Sequence, residues 1–276
     1  MKTILTVTSP DLDDTDLKLA ATLCEEHGAH LAVLVVKLAA APPIGGYAAI
    51  VSDAWLQERE ADKASLKERT AAVSDLLATL SISADVSSDY PEEPWVDDIV
   101  GRRARYADLT LVGPQLLRGG ILKSKVIAGA LFSSGKPLLL VPRGSSPTLR
   151  PRRVVVGWDS SLEASNAVAS ALDILSTAED VRLLLVDPVE GESGQGAEPG
   201  ADAAAYLARH GVRVTVDRRP SQGRSIAAVL RQHAVDTAAE LLVIGAYGHS
   251  RLEERIFGGV TKSMIDEPPL PILMAR

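Results

Sequence analysis

The chain has 276 residues, about twice the usual length of one domain, so length alone allows one large domain or two ordinary ones. Apolar residues make up 46% of it and charged residues 24%, an ordinary globular composition that argues against wholesale disorder. A formal net charge of −7 leaves no surplus of lysine and arginine to neutralise a phosphate backbone, so nucleic acid is not an expected partner.

The N-terminal Met1-Lys2-Thr3-Ile4-Leu5 enters a strand pattern directly. The single cysteine, Cys24, stands among helix-type residues and is read as a buried, inert thiol; no disulfide framework is expected. The apolar run that begins at Leu31 is broken by Lys37, Pro42 and Pro43 before it could cross a bilayer, so a cytoplasmic protein without a membrane segment is expected. From about Asp53 to Leu80 follows a long amphipathic helix whose apolar stripe packs on its own sheet. The stretch Ala130-Leu-Phe-Ser-Ser-Gly-Lys-Pro137 lacks the first glycine and the final hydroxyl of a Walker A loop and is read as a turn before a strand.

The chain then repeats itself. Leu31-Ala-Val-Leu-Val-Val36 matches Val181-Arg-Leu-Leu-Leu-Val186, and Ala107-Asp-Leu-Thr-Leu-Val-Gly113 matches Ala239-Glu-Leu-Leu-Val-Ile-Gly245. The closing Pro137-Leu-Leu-Leu-Val-Pro-Arg143 corresponds to Pro271-Ile-Leu-Met-Ala-Arg276. Between the copies, residues 143 to 152 are rich in Pro, Ser and Gly without apolar periodicity, the composition of a linker. Two domains are therefore expected, at 1–143 and 152–276.

In the second copy, continuous Val/Ile/Leu runs predict strands at about 153–157, 181–187, 212–217, 240–245 and 271–275. Segments of helical period lie between them, near 161–177, 199–210, 223–238 and 258–266. Such alternation with right-handed crossovers gives an α/β fold with a doubly wound parallel sheet, whose ligand crevice lies at the carboxyl ends of the strands.

After the fourth strand of that copy comes Gly245-Ala-Tyr-Gly248, then nine residues, then Gly258-Gly259-Val260-Thr261 opening the last helix. Glycines let the backbone turn and approach a ligand, and the N–H groups at the helix start favour a phosphate. The hydroxyls of Thr261 and Ser250 would add hydrogen bonds, and Tyr247 and His249 flank Gly248; turns and caps without a ligand use the same glycines. The spacing Gly245, Gly248, Gly258 resembles the G-x2-G-x9-G signature of the universal stress protein family. Val154-Val-Val-Gly157-Trp-Asp159-Ser-Ser is similar to that family's first strand and its acidic residue. The likeness is strong in the second copy and loose in the first.

The resemblance implies two tandem Rossmann-like domains, each a five-stranded parallel sheet in the order 3-2-1-4-5, and a stress-response protein that binds ATP, with or without magnesium, or a related adenine nucleotide. Its implied site lies in the C-terminal domain: Gly157 and Asp159 at strand one, Val186 and Asp187 at strand two, and Gly245, Gly248, His249, Ser250, Gly258, Gly259, Val260 and Thr261 in the loop. The family's binders commonly carry Ser or Thr after the third glycine, where this chain has Gly259.

The first copy departs further. It reads Gly113-Pro-Gln-Leu-Leu-Arg-Gly-Gly-Ile-Leu-Lys123-Ser-Lys125, two residues shorter, with Pro10 near the place of Asp159 and Asp11 beside it. A degenerate site without nucleotide is expected there, Lys123 and Lys125 forming a solvated basic helix end or, as the alternative, attracting an anion. The resemblance further suggests that the two copies pair through their last strands as an intramolecular pseudo-dimer. A homodimer and a regulatory protein partner are further expectations.

No catalytic residue or metal ligand is expected, because the histidines at 27, 30, 210, 233 and 249 lack metal-ligand spacing and no Ser/His/Asp motif is present. The alternatives are a nucleotide-free tandem scaffold and, more weakly, a slow ATPase, for which no general base is identifiable.

Overall fold

A computed structural model describes residues 1–41, 53–191, 197–246 and 259–276. They divide into two compact units, Met1–Ser134 and Gly135–Arg276.

In the first unit, β1 (Thr3–Thr8), α1 (Thr15–His27), β2 (His30–Val36), α2 (Asp53–Ala78), β3 (Ala84–Asp89), α3 (Val96–Ala104), β4 (Leu109–Val112) and α4 (Gly120–Ala128) follow in order. The strands lie in the order β3-β2-β1-β4, with β1 parallel to both β2 and β4. Helix α2 buries Leu66, Val73 and Leu77, one stripe at roughly helical spacing.

The second unit opens with β5 (Leu138–Leu140) and continues with β6 (Arg153–Gly157), α5 (Leu162–Thr177), β7 (Asp180–Val186), α6 (Ala201–Arg209) and β8 (Val214–Arg219). It closes with α7 (Ile226–Asp236), β9 (Leu241–Gly245), α8 (Gly259–Asp266) and β10 (Ile272–Ala275). The order β10-β9-β6-β7-β8 is the expected 3-2-1-4-5 read from the other end, and all its pairs are parallel. Central strands are buried on both faces: Val154, Val155 and Val156 of β6 and Leu241, Leu242 and Val243 of β9 are all at most 1% exposed. That double burial is why they read as unbroken apolar runs.

One feature departs from two all-parallel sheets. Strand β5, which closes the first sequence copy, pairs antiparallel with β10 in the register Leu140↔Ile272, Leu139↔Leu273 and Leu138↔Met274. It therefore belongs to the second compact unit, and the units part ahead of the 143–152 stretch whose composition marks a linker.

Candidate functional site

In the second unit the strand order reverses about β6, with β7 on one side and β9 on the other. Diverging connections at such a switch point open a crevice past the carboxyl ends of the strands. A cavity of about 240 Å3 lies there. Gly157 ends β6, Val186 ends β7, Gly245 ends β9, and Gly259, Val260 and Thr261 form the first turn of α8; all six line the cavity, as does Asp159.

The turn past β6 is built by its own side chains. Asp159 Oδ1 accepts from Ser161 N at 3.0 Å and from Ser161 Oγ at 2.5 Å, and Ser161 Oγ in turn caps α5 by accepting from Ala164 N at 3.1 Å. Ser160, Asp187 and Gln222, just past β6, β7 and β8, hold left-handed backbone at φ 65°, 47° and 54°. Each such residue stores of order 1 kcal/mol of strain, and such strain concentrates at ligand crevices.

Asp187 has a different position from the one expected. It is not among the residues lining the cavity; its Oδ1 accepts from Ser221 N at 2.8 Å and so ties the turns after β7 and β8 together. Hydrogen bonding from the side chain of Ser221, and then from its backbone N–H, holds the Asp187 carboxyl below the usual range. Gly248, His249, Ser250 and Gly258, with Tyr247, lie outside the described residues.

Sequence reading missed half of the cavity wall. Trp158 stands beside Asp159 in the strand-one motif and was legible as a neighbour of the site. Leu184 and Ile244 sit on strands already assigned to the site, one or two residues before the positions singled out. Ile226 and Leu230 are spaced i, i+4 on α7, so they share a face, but only the packing of α7 turns that face to the cavity. Glu163, in the first turn of α5, adds a second carboxylate to the wall.

The two described glycines of the loop do different jobs. A Cβ on Gly245 would stand 2.5 Å from Ala164 N and 2.6 Å from Glu163 C, so this glycine lets β9 end against the backbone of α5. Among the described residues no atom lies within 4 Å of such a Cβ on Gly259. We expect Gly259→Ala to leave thermal stability unchanged or raised by about 0.5–1 kcal/mol, since alanine is the better helix former; a loss beyond 1 kcal/mol in denaturant titration would refute that.

The model of the Universal stress protein family matches residues 151–276, which contain the whole cavity. Residues 151–276 belong to the universal stress protein family. Among curated proteins no sequence matches the chain. A universal stress protein from Archaeoglobus fulgidus DSM 4304 is similar in structure, with a TM-score of 0.65, 17% identity, and coverage of 99% of this chain and 96% of that one. A functionally unknown protein from Pseudomonas aeruginosa PAO1 aligns with a TM-score of 0.56 at 15% identity, over 100% and 92% of the two chains. At these identities the likeness shows the fold, and it extends across both units.

Past the strand ends of the first unit, charged side chains pair with one another. Past β1, Asp11 is engaged by Lys37 at 3.3 Å, and Lys37 also approaches Asp62 of α2 at 3.7 Å. Tyr90, past β3, donates to the same Asp62 at 2.8 Å, and Arg69 of α2 binds Asp14 at 2.7 Å. Thus α2, the element in which the two copies differ most, crosses the strand ends with its own charges. Lys125, expected as a solvated basic end, is paired with Asp97 at 3.2 Å.

His30 bridges Ser83 Oγ at 2.8 Å and Asp85 at 2.5 Å, a Ser/His/Asp contact that no sequence motif announces. Asp85 is 61% exposed, so the pair lies in water and ties the starts of β2 and β3 together without a desolvated acid to orient a base. Cys24 is fully buried, and burial pushes its thiol up to about 11, consistent with an inert core residue. Among the described residues no group of three or more His, Cys, Asp or Glu could hold a metal, and no helix is long and apolar enough to cross a membrane.

Proposed function

We propose that this chain is a cytoplasmic stress-response protein that binds ATP or a related adenine nucleotide in its second unit and acts as a nucleotide-responsive regulator. The observation that carries this reading is the convergence of the ends of β6, β7 and β9 with the first turn of α8 on one cavity. The residues fit the ligand's parts in turn. Leu184, Val186, Ile226, Leu230 and Ile244 offer apolar walls for a purine ring. Asp159 offers a carboxylate to ribose hydroxyls or an exocyclic amine. The amides that open α8 have no intrahelical acceptor and suit phosphate oxygens. A volume of about 240 Å3 accommodates the nucleoside, leaving the phosphates toward α8. With Asp159 and Glu163 on the wall, a polyphosphate would enter more readily as its magnesium complex, because the cation offsets repulsion between like charges.

Titration calorimetry of nucleotide-stripped protein with Mg-ATP tests the reading; one site per chain is expected. Trp158 gives a second signal, since Trp55 and Trp95 both lie in the first unit, so a fluorescence change on titration reports the cavity. Asp159→Ala should weaken binding about 10- to 100-fold, the worth of a hydrogen bond to a charged group. Gly259→Ser, at a position with room for it, should strengthen binding about 2- to 10-fold by adding one neutral hydrogen bond. No heat at millimolar ATP would instead favour a nucleotide-free scaffold.

A further inference from the structure

In the first unit the chain leaves β4 through Gly113-Pro114-Gln115-Leu116. The amides of Gln115 and Leu116 both point at one carboxylate, that of Asp16 in the first turn of α1. Asp16 Oδ1 accepts from Gln115 N at 2.9 Å and Oδ2 accepts from Leu116 N at 3.0 Å. The residue is only 3% exposed, a depth at which an aspartate is rare. Burial pushes its carboxyl above the ordinary range, and the two amides offset that only in part.

The space for this carboxylate is set by the residue opposite it. A Cβ on Gly113 would stand 2.4 Å from Asp16 Cγ and 2.5 Å from Oδ1, so only glycine admits the side chain. Asp13 braces the same turn, its Oδ2 accepting from Gln115 Nε2. Consecutive backbone N–H groups converging on both oxygens of one anion form the concavity in which turns bind oxyanions. Glu163 occupies the second helical position of α5, as Asp16 does in α1, and there it lines the open cavity.

We propose that the turn after β4 in the first unit is an oxyanion cradle kept filled by the chain's own carboxylate, Asp16. The first unit thus carries anion-binding backbone at the end of its fourth strand, and the amides of Gln115 and Leu116 are taken by Asp16 and not offered to another anion. The class of ligand that fits once the side chain is removed is a small oxyanion with a carboxylate's geometry.

The test uses the full chain and sodium formate, with sodium chloride at equal ionic strength as reference. Asp16→Ala should unfold at a lower temperature than wild type in chloride, and its midpoint should rise by several degrees in formate at tens of millimolar, because a ligand bound only to the folded state stabilises it. Wild type should unfold at the same temperature in both salts. Amide resonances of Gln115 and Leu116 should move with formate in the variant and not in wild type. A variant that loses stability yet responds to formate no more than wild type overturns the proposal. If Asp16→Ala does not fold in chloride, Asp16→Ser, which keeps a small oxygen acceptor, is measured in the same way; failure of both to respond to formate, in midpoint or in yield of folded protein, overturns it equally. The outcome is independent of nucleotide binding in the second unit.

Discussion

Gly245→Ala is expected to destabilise the second unit by about 3 kcal/mol, at the upper end of what overpacking a well-filled interior costs. The added carbon would stand 2.5 Å from Ala164 N and 2.6 Å from Glu163 C, and both are backbone atoms that no rotamer change can move aside. Nor can β9 retreat, because Ile244 is paired with Gly157 of β6 on one side and Gly245 with Ala275 of β10 on the other. Ordinarily a strand glycine replaced by alanine gains stability through a less flexible unfolded chain, so a large loss isolates the clash. Denaturant titration of the variant beside Gly259→Ala separates the two glycines, and comparable stabilities would refute the packing argument. Gly245 is a packing glycine first, and a bulky substitution there cannot probe ligand binding while sparing the fold.

The second large effect is expected at Arg231, which touches no residue of the cavity wall in the hydrogen bonds it makes. Its Nη2 donates to Ser263 O at 2.6 Å, Ser263 Oγ at 2.9 Å and Glu267 O at 3.0 Å. Ser263 O already accepts from Glu267 N at 3.1 Å and takes Arg231 as a second donor, while Glu267 O lies just past the helix end, where a cation also interacts favourably with the helix dipole. Helix α8 has only eight residues, too few to persist without tertiary support. Its other end, Gly259 to Thr261, lines the cavity, and so does Leu230 beside Arg231 on α7. Arg231→Ala should lower stability by about 1.5–3 kcal/mol, the worth of hydrogen bonds to a charged group.

If α8 receives the phosphates, the same variant should weaken ATP about 10-fold, equivalent to 1.4 kcal/mol, and leave adenosine unaffected. Arg231→Lys, which keeps the charge without the planar fork, should recover part of the loss. Calorimetry with both ligands decides the matter: a parallel loss for ATP and adenosine would mean that the variant merely loosens the unit.

Much of the architecture was legible because a strand buried on both faces cannot alternate. The runs predicted at 153–157, 181–187 and 240–245 appear as Arg153–Gly157, Asp180–Val186 and Leu241–Gly245. Helices expected near 161–177 and 223–238 run over Leu162–Thr177 and Ile226–Asp236, each started by a serine, Ser161 and Ser225, whose hydroxyls accept from Ala164 N and Ala228 N. Strand-end residues of the cavity were legible for a related reason, since the doubly wound order fixes which ends face the crevice.

The sequence by itself determined the duplicated α/β pattern, the strands and helices of the second copy and the segments from which its cavity is drawn, because these follow from local periodicity and from glycine and capping chemistry. Only the tertiary structure decided that β5 joins the second unit by pairing with β10, since a strand's composition does not name its partner. It alone brought Ile226 and Leu230 to the cavity, turned Asp187 toward Ser221, and set Gly245 against the backbone of α5. It alone closed Asp16 onto the amides of Gln115 and Leu116, a hundred residues away along the chain. Those relations depend on distances between elements remote in sequence, and hydrogen bonding and steric exclusion act on such distances whatever the local pattern.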